Sequence, residues 1–325
     1  MTQPLASLRL MLATGLIAGA ALWAGISATA QPAAVAGAPF LVVETGQRYQ
    51  RLQDALFAIG DAMGTIRIAP GIYADCGVQE YGHVAYVAAL PGRVTFNGRL
   101  CEGKAALVLR GRSARVEGII FSNLRAADGN GAGIRLEKGN LAVAQAWFRN
   151  SEEGILAGND PKSTISIDRS SFTHLGRCDR GLACSHSIYI NFFKSVRVTN
   201  SRFEAGDGGH YLKVRAAQVA ITDNSFDDTL GRGTNYLIDL PAGATGRIAG
   251  NWLIQGSNKE NPHTLIAVAA ESRTNTSDGL TIEGNVARFA NPDHKATAFV
   301  ADWSGHRIVI GANQLEEGIA RYVRR

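Results

Sequence analysis

Four chemically active side chains crowd a short stretch of the 325-residue chain: Tyr189, His210, Lys213 and Arg215. Three of their surrounding segments share one alternation: Ser187-Ile-Tyr-Ile190, Tyr211-Leu-Lys-Val214 and Leu237-Ile-Asp-Leu240. In an extended strand the aliphatic residues of each would turn to one side and the central polar residue to the other. Stacked with their aliphatic pairs in register, these segments place Tyr189, Lys213 and Asp239 in one outward column. Arg135, from Gly133-Ile-Arg-Leu136, falls in that column two repeats earlier. The adjacent outward column holds Asn191, Arg215 and Pro241, while His186 and His210 stand at equivalent places just before their strands.

Such a set suits removal of a weakly acidic proton beside a carboxylate. The proton leaves only if the carboxylate charge is neutralised, by Arg, Lys or a bound calcium ion. A base must then reach it, and Lys, His or Tyr can serve when crowded by positive neighbours. The candidate catalytic residues are therefore Lys213, Arg215, His210 and Tyr189, with His186, Asn191, Asp239 and Arg135 as candidate substrate-binding residues. On a uronate polymer the same first step leads to β-elimination or to C5 epimerisation, and both stay open. No set of calcium-ligating carboxylates is identifiable, so calcium remains an alternative and no other cofactor is implied. The plainer alternative is a polar surface on which Lys213 and Asp239 form a stacked ion pair of little energetic weight. Hydrolysis fits less well, because it needs paired carboxyl groups. Gly209-His210 has no aspartate pair before it, and Asp227-Asp228 after it are expected in a turn. Trp147, Trp252 and Trp303 are expected as core or turn filler.

The elements that must hold these residues are repeats. One pattern recurs: aliphatic, two variable residues, a small or amide residue, one variable residue, then an apolar residue. It reads Val143-Ala-Gln-Ala146-Trp-Phe148, Ile167-Asp-Arg-Ser170-Ser-Phe172, Val198-Thr-Asn-Ser201-Arg-Phe203 and Ile221-Thr-Asp-Asn224-Ser-Phe226. It continues through Ile248-Ala-Gly-Asn251-Trp-Leu253, Ile282-Glu-Gly-Asn285-Val-Ala287 and Ile310-Gly-Ala-Asn313-Gln-Leu315, with Val116–Phe121 as a looser early copy. Strands this short bury no core alone, but stacked turns do, which makes the chain a solenoid. Asn224, Asn251, Asn285 and Asn313 occupy one repeat position. Asn there tolerates a left-handed bend and can bond the amide of the next turn.

The N-terminal part resembles the pectin-lyase-like superfamily. Tyr49-Gln-Arg-Leu-Gln-Asp-Ala-Leu-Phe-Ala-Ile59 looks like its amphipathic capping helix, and Ile66-Arg-Ile-Ala-Pro-Gly-Ile-Tyr73 like its first strand and Pro-Gly-x-Tyr turn. The resemblance runs from about Gln47 to Leu315 and implies an all-β, single-stranded right-handed parallel β-helix with a short capping helix. Arg215-Ala-Ala-Gln-Val-Ala-Ile-Thr-Asp-Asn-Ser-Phe226 is similar to the segment around the catalytic lysine of alginate- and chondroitin-type β-helix lyases. In that register Arg215 takes the lysine's place, and Lys213 lies two residues earlier on the same face. The stretches around His186, His210 and Ile238 also look like a group of exported bacterial β-helix proteins. A binding or exopolysaccharide-assembly protein without catalysis is the competing class.

The first thirty residues read as a signal peptide: Arg9, the uncharged apolar run Leu10–Ile26, and a cleavage site at Ala28-Thr29-Ala30 that would leave Gln31 first. An uncleaved anchor is the alternative reading. Residues 31–46 are expected as a linker and 47–325 as the β-helix domain, with Glu316–Arg325 covering its last turn. Export to the periplasm or beyond makes disulfides the natural reading of four cysteines. Of three pairings, the local ones are expected, Cys76 with Cys101 and Cys178 with Cys184. A formal charge of +5 suits an anionic partner, here an acidic polysaccharide. The basic residues are too scattered for nucleic acid, and no later segment is apolar enough to span a membrane. A monomer is expected.

Overall fold

The computed structural model describes residues 37–291 and 296–325. The expected signal peptide and residues 31–36 lie outside the described residues. Among the described residues each coil passes through three sheets of twelve, ten and ten strands, parallel except at the N-terminal edge of the first and called here the first, second and third sheet. One coil, for example, comprises Gln218–Thr222, Ser225–Asp227 and Ile238–Leu240. The described residues thus form a single-stranded right-handed parallel β-helix with one short helix. Phe40–Val42 pairs antiparallel with Gln47–Tyr49 and with Met63–Ile68, so the fold begins inside the stretch expected as linker.

The helix spans Leu52–Ile59, shorter than the eleven-residue segment read from the sequence, because Tyr49 belongs to a strand. It buries Leu52, Ala55, Leu56 and Ile59 on the solenoid's end, where uncovered strand edges would otherwise be exposed. Arg51 offers no side-chain cap; Asp75 Oδ2 accepts from Leu52 N–H at 2.9 Å instead. At the other end the expectation of a covering tail is corrected. Ile319–Arg324 continues the third sheet, parallel to Thr297–Asp302.

The repeat pattern makes the core. Its closing aromatic residues stack from coil to coil, with ring centroids 5.0 Å apart for Phe121–Phe148, 4.7 Å for Phe172–Phe203 and 4.6 Å for Phe203–Phe226. Identical residues meet at the coil spacing, so each ring buries its faces against its neighbours. At the corner between first and second sheets the amides form a ladder. Asn251 Oδ1 accepts from Asn224 N–H and Nδ2, each at 3.0 Å, and Asn285 Oδ1 does the same for Asn251 at 2.9 Å. Asn313 Oδ1 accepts from Asn285, and Ser201 and Ser170 extend the ladder toward the N-terminus with single bonds. The left-handed residue is not the asparagine, however. It is the residue before it: Asp223 (φ 59°), Gly250 (φ 66°) and Gly284 (φ 66°). That bend turns the following side chain inward, where an unbonded amide would be costly, so the ladder is what makes a buried Asn tolerable.

Both expected disulfides are present, Cys76–Cys101 joining adjacent coils and Cys178–Cys184 closing the loop before His186.

Candidate functional site

The third sheet sets the register of the site. Ile188–Ile190, Leu212–Val214 and Ile238–Leu240 run in parallel, with Tyr189 beside Lys213 and Lys213 beside Asp239. Their aliphatic residues are buried in the core, so these three side chains share the outer face, as the alternation requires. Arg135 does fall two coils earlier, but Leu156 intervenes in the column and separates it from the others.

This outer face is not a solvated surface. Asp239 is 2% exposed, His186 7%, and His210 and Lys213 8% each. The segment after strand Thr264–Val268 folds back over the site. Glu271 N–H and Ser272 N–H both bond Pro241 O, and Asn275 Nδ2 donates to Arg215 O and Gly243 O in two earlier coils. Glu271 thereby reaches back two coils. Its Oε1 accepts from Lys213 Nζ at 2.5 Å, and its Oε2 accepts from Arg215 Nη2. Arg215 Nη1 donates to the Tyr189 hydroxyl and, at 3.5 Å, to Asn191 Oδ1. Both cations lie over the Tyr189 ring, Lys213 Nζ at 5.5 Å and Arg215 Cζ at 5.2 Å from its centroid.

Beneath this layer, backbone geometry fixes the histidine tautomers. His210 N–H donates to His186 Nδ1 at 2.9 Å, and Tyr236 N–H donates to His210 Nδ1 at 3.1 Å. A backbone amide only donates, so both Nδ1 atoms are unprotonated and the neutral rings carry hydrogen on Nε2. His210 Nε2 then faces Asp239 Oδ2 at 3.4 Å, and Lys213 Nζ stands 3.6 Å from the same oxygen. Burial, aided by Lys213 and Arg215, pushes the His186 imidazole down to about 3. Burial also pushes His210 well below its usual value, with His186 and the nearby cations adding to it. Asp239 moves the other way. Burial raises its carboxyl to about 7 despite Lys213, and its Oδ1 has no hydrogen-bond partner.

The structure therefore brings together Tyr189, His186, Asn191, His210, Lys213, Arg215 and Asp239, and leaves out Arg135. Arg135 is a neighbour of the buried Glu153, whose carboxyl is raised well above its usual value, chiefly by burial. Two members of the site were missed. Tyr236 had a signal: like His186 and His210 it stands two residues before its strand, and the three rings follow one another with centroids 4.9 and 5.2 Å apart, each tilted against the next. Glu271 had none, since it lies in a loop of irregular length. Asp228 opens the expected turn, its carbonyl accepting from Gly231 N–H, whereas Asp227 ends strand Ser225–Asp227. The Asp228 side chain is fully buried, bonded to Tyr211, Thr234 and, at 2.8 Å, Lys259. Trp147 and Trp252 are also not filler, for both are exposed on one outward column of the second sheet.

Among the described residues, the one cluster of three metal-binding side chains is Cys178, Cys184 and Glu260, and its two thiols are consumed in a disulfide. Among the described residues, no helix is long and apolar enough to cross a membrane.

No protein-family model matches the sequence, and no curated protein matches it. Solved structures do resemble the fold. A PL6-family alginate lyase, AlyGC, matches with a TM-score of 0.52 at 13% identity, over 82% of this chain and 39% of that one. A Geobacillus virus E2 protein, ORF18, matches with a TM-score of 0.45 at 14% identity, over 83% of this chain and 55% of that one. This chain thus spans about two fifths of the alginate lyase's length. With its coiled three-sheet topology, this chain has the right-handed parallel β-helix fold, which it shares with that alginate lyase.

Proposed function

We propose that the protein acts on an acidic, uronate-containing polysaccharide, by β-elimination or by C5 epimerisation. One observation carries this reading: Lys213 Nζ and His210 Nε2 converge on Asp239 Oδ2 while Arg215 binds the Tyr189 hydroxyl beside them. Titratable groups gathered in this way, with burial holding His210 well below and Asp239 above its usual value, are more common at reacting centres than on inert surfaces. The alginate lyase of the same fold adds support for a polysaccharide substrate.

In the proposed reaction Lys213 and Arg215 neutralise the uronate carboxylate, so that the proton on the adjacent carbon becomes removable. Tyr189 is the proposed base: after its hydroxyl gives up its own proton to solvent, its oxygen takes the proton from the substrate carbon and returns to the neutral hydroxyl, with the Arg215 guanidinium donating to it. His210 cannot take it while Nδ1 is bonded to Tyr236 N–H; its Nε2–H is a donor, and Asp239 orients it. In elimination the electron pair left on the carbon forms a double bond and expels the glycosidic oxygen, which takes up a proton from water. In epimerisation a proton from water returns to the opposite face.

The test is ultraviolet absorbance of the unsaturated uronate, measured on alginate, pectate, chondroitin and glucuronate polymers. Elimination predicts a signal that falls at least ~100-fold in Lys213→Ala and Tyr189→Phe. No signal on any polymer sinks elimination for those substrates. A second reading, binding without catalysis, is favoured by Trp147 and Trp252, since exposed indoles on one straight column suit a sugar chain lying along the solenoid.

A further inference from the structure

We propose that Lys213 and Arg215 form a carboxylate subsite which Glu271 fills in the free protein, and that a uronate carboxylate displaces Glu271 to bind. The ligand class rests on the function proposed above; the occupied subsite rests on geometry. Glu271 divides its two oxygens between the two cations, one to Lys213 and one to Arg215. A uronate carboxylate bound across the same pair would make the same two charge-assisted bonds.

The order of exposure shows which partner can leave. The side chain of Glu271 is 45% exposed, against 10% for Lys213 and 15% for Arg215. The anion is thus the outermost member and can swing into water, whereas the cations are held against Tyr189 and the sheet. Nor does its release require the loop to open. The segment is anchored through the Glu271 and Ser272 N–H bonds to Pro241 O and through Asn275, none of which involves the Glu271 carboxylate. Departure of Glu271 without replacement would strand two partly buried cations, so exchange for another anion is the favourable route. Burial works against the charge on Glu271, but the bond to Lys213 and the charges of Lys213 and Arg215 outweigh it and hold the carboxyl below its usual range. The internal anion therefore remains a competitor at neutral pH. Tyr189 and Asn191 flank Arg215, where they would meet hydroxyls of the same sugar.

A competitor lowers apparent affinity by the fraction of time the subsite is free. Glucuronate and galacturonate monomers are the probes, with a neutral methyl glucoside as control. Their affinities would be measured by NMR titration on the unmodified protein, Glu271→Gln and Glu271→Ala. Both variants are expected to bind the uronates ~10-fold more tightly or better, to leave the neutral sugar unchanged, and to lose the gain when Lys213→Ala is added. Uronate binding that is unchanged or weaker in both variants overturns the inference, as does an equal gain for the neutral sugar. A gain for monomers with no reaction on any polymer leaves the subsite standing and removes the catalytic reading instead.

Discussion

His210 Nε2 stands 3.4 Å from Asp239 Oδ2, and the bond from Tyr236 N–H to the ring's other nitrogen makes Nε2 the protonated one. A neutral imidazole N–H thus faces a carboxyl that burial raises to about 7. When ionised, Asp239 orients both His210 and Lys213; when protonated, it loses its pull on each. Turnover should therefore rise with pH through about 7, and Asp239→Asn should abolish that limb of the profile. A limb retained in the variant would assign the titration to another group.

The same carboxyl makes a stability prediction. Its folded pKa lies above its unfolded one, so its contribution is present below the ordinary aspartate value and is lost as pH rises through about 7. Asp239→Asn should match the unmodified protein in urea at pH ~4 and exceed it at pH ~8. A variant that weakens progressively between those values would show the charge to be stabilising.

His186 has the opposite sign. Its folded pKa is depressed to about 3, so its contribution is present above the ordinary histidine value and lost as pH falls toward 3. Urea midpoints should decline from pH ~6.5 downward, and His186→Gln should flatten that decline. An unaltered slope would mean that His186 is not the buried neutral group responsible.

Asn251 uses both side-chain atoms twice, accepting from Asn224 and donating to Ile221 O and Asn285 Oδ1. Asn251→Ala strands buried partners in both neighbouring coils and should cost about 3 kcal/mol in denaturant titration. Asn313→Ala, at the half-buried end of the ladder, should cost about 1 kcal/mol. Equal costs would show that the ladder does not depend on burial.

The disulfides differ in the chain they close. Cys76–Cys101 spans 25 residues and Cys178–Cys184 spans 6. On the chain-entropy account, replacing the first pair with serine should cost about 3.5 kcal/mol and the second about 2.2 kcal/mol. A larger loss from the short loop would mean that it supports His186 and the site directly.

The solenoid was legible because its rules are periodic. Phe148, Phe172, Phe203 and Phe226 recur at one position, as do Asn224, Asn251, Asn285 and Asn313, so the column that each forms follows from spacing alone. Tyr189, Lys213 and Asp239 were placed side by side by the same reasoning. Burial was not legible. Alternation gives the direction of a side chain but not what covers it, and the cover here is a loop in which Glu271 and Asn275 obey no repeat. Arg135 was drawn into the set for the converse reason: its column position is right, but Leu156 interrupts the column.

Elimination and epimerisation both begin by removing the proton beside the uronate carboxylate, so one NMR measurement in deuterium oxide covers both. Alginate, pectate, chondroitin and glucuronate polymers would each be incubated with the unmodified protein and with Lys213→Ala. At least one polymer should gain deuterium at C5 or unsaturated chain ends with the unmodified protein, and neither with the variant. Polymer that binds yet shows neither change would contradict catalysis at this site and leave the face as a carbohydrate-binding surface.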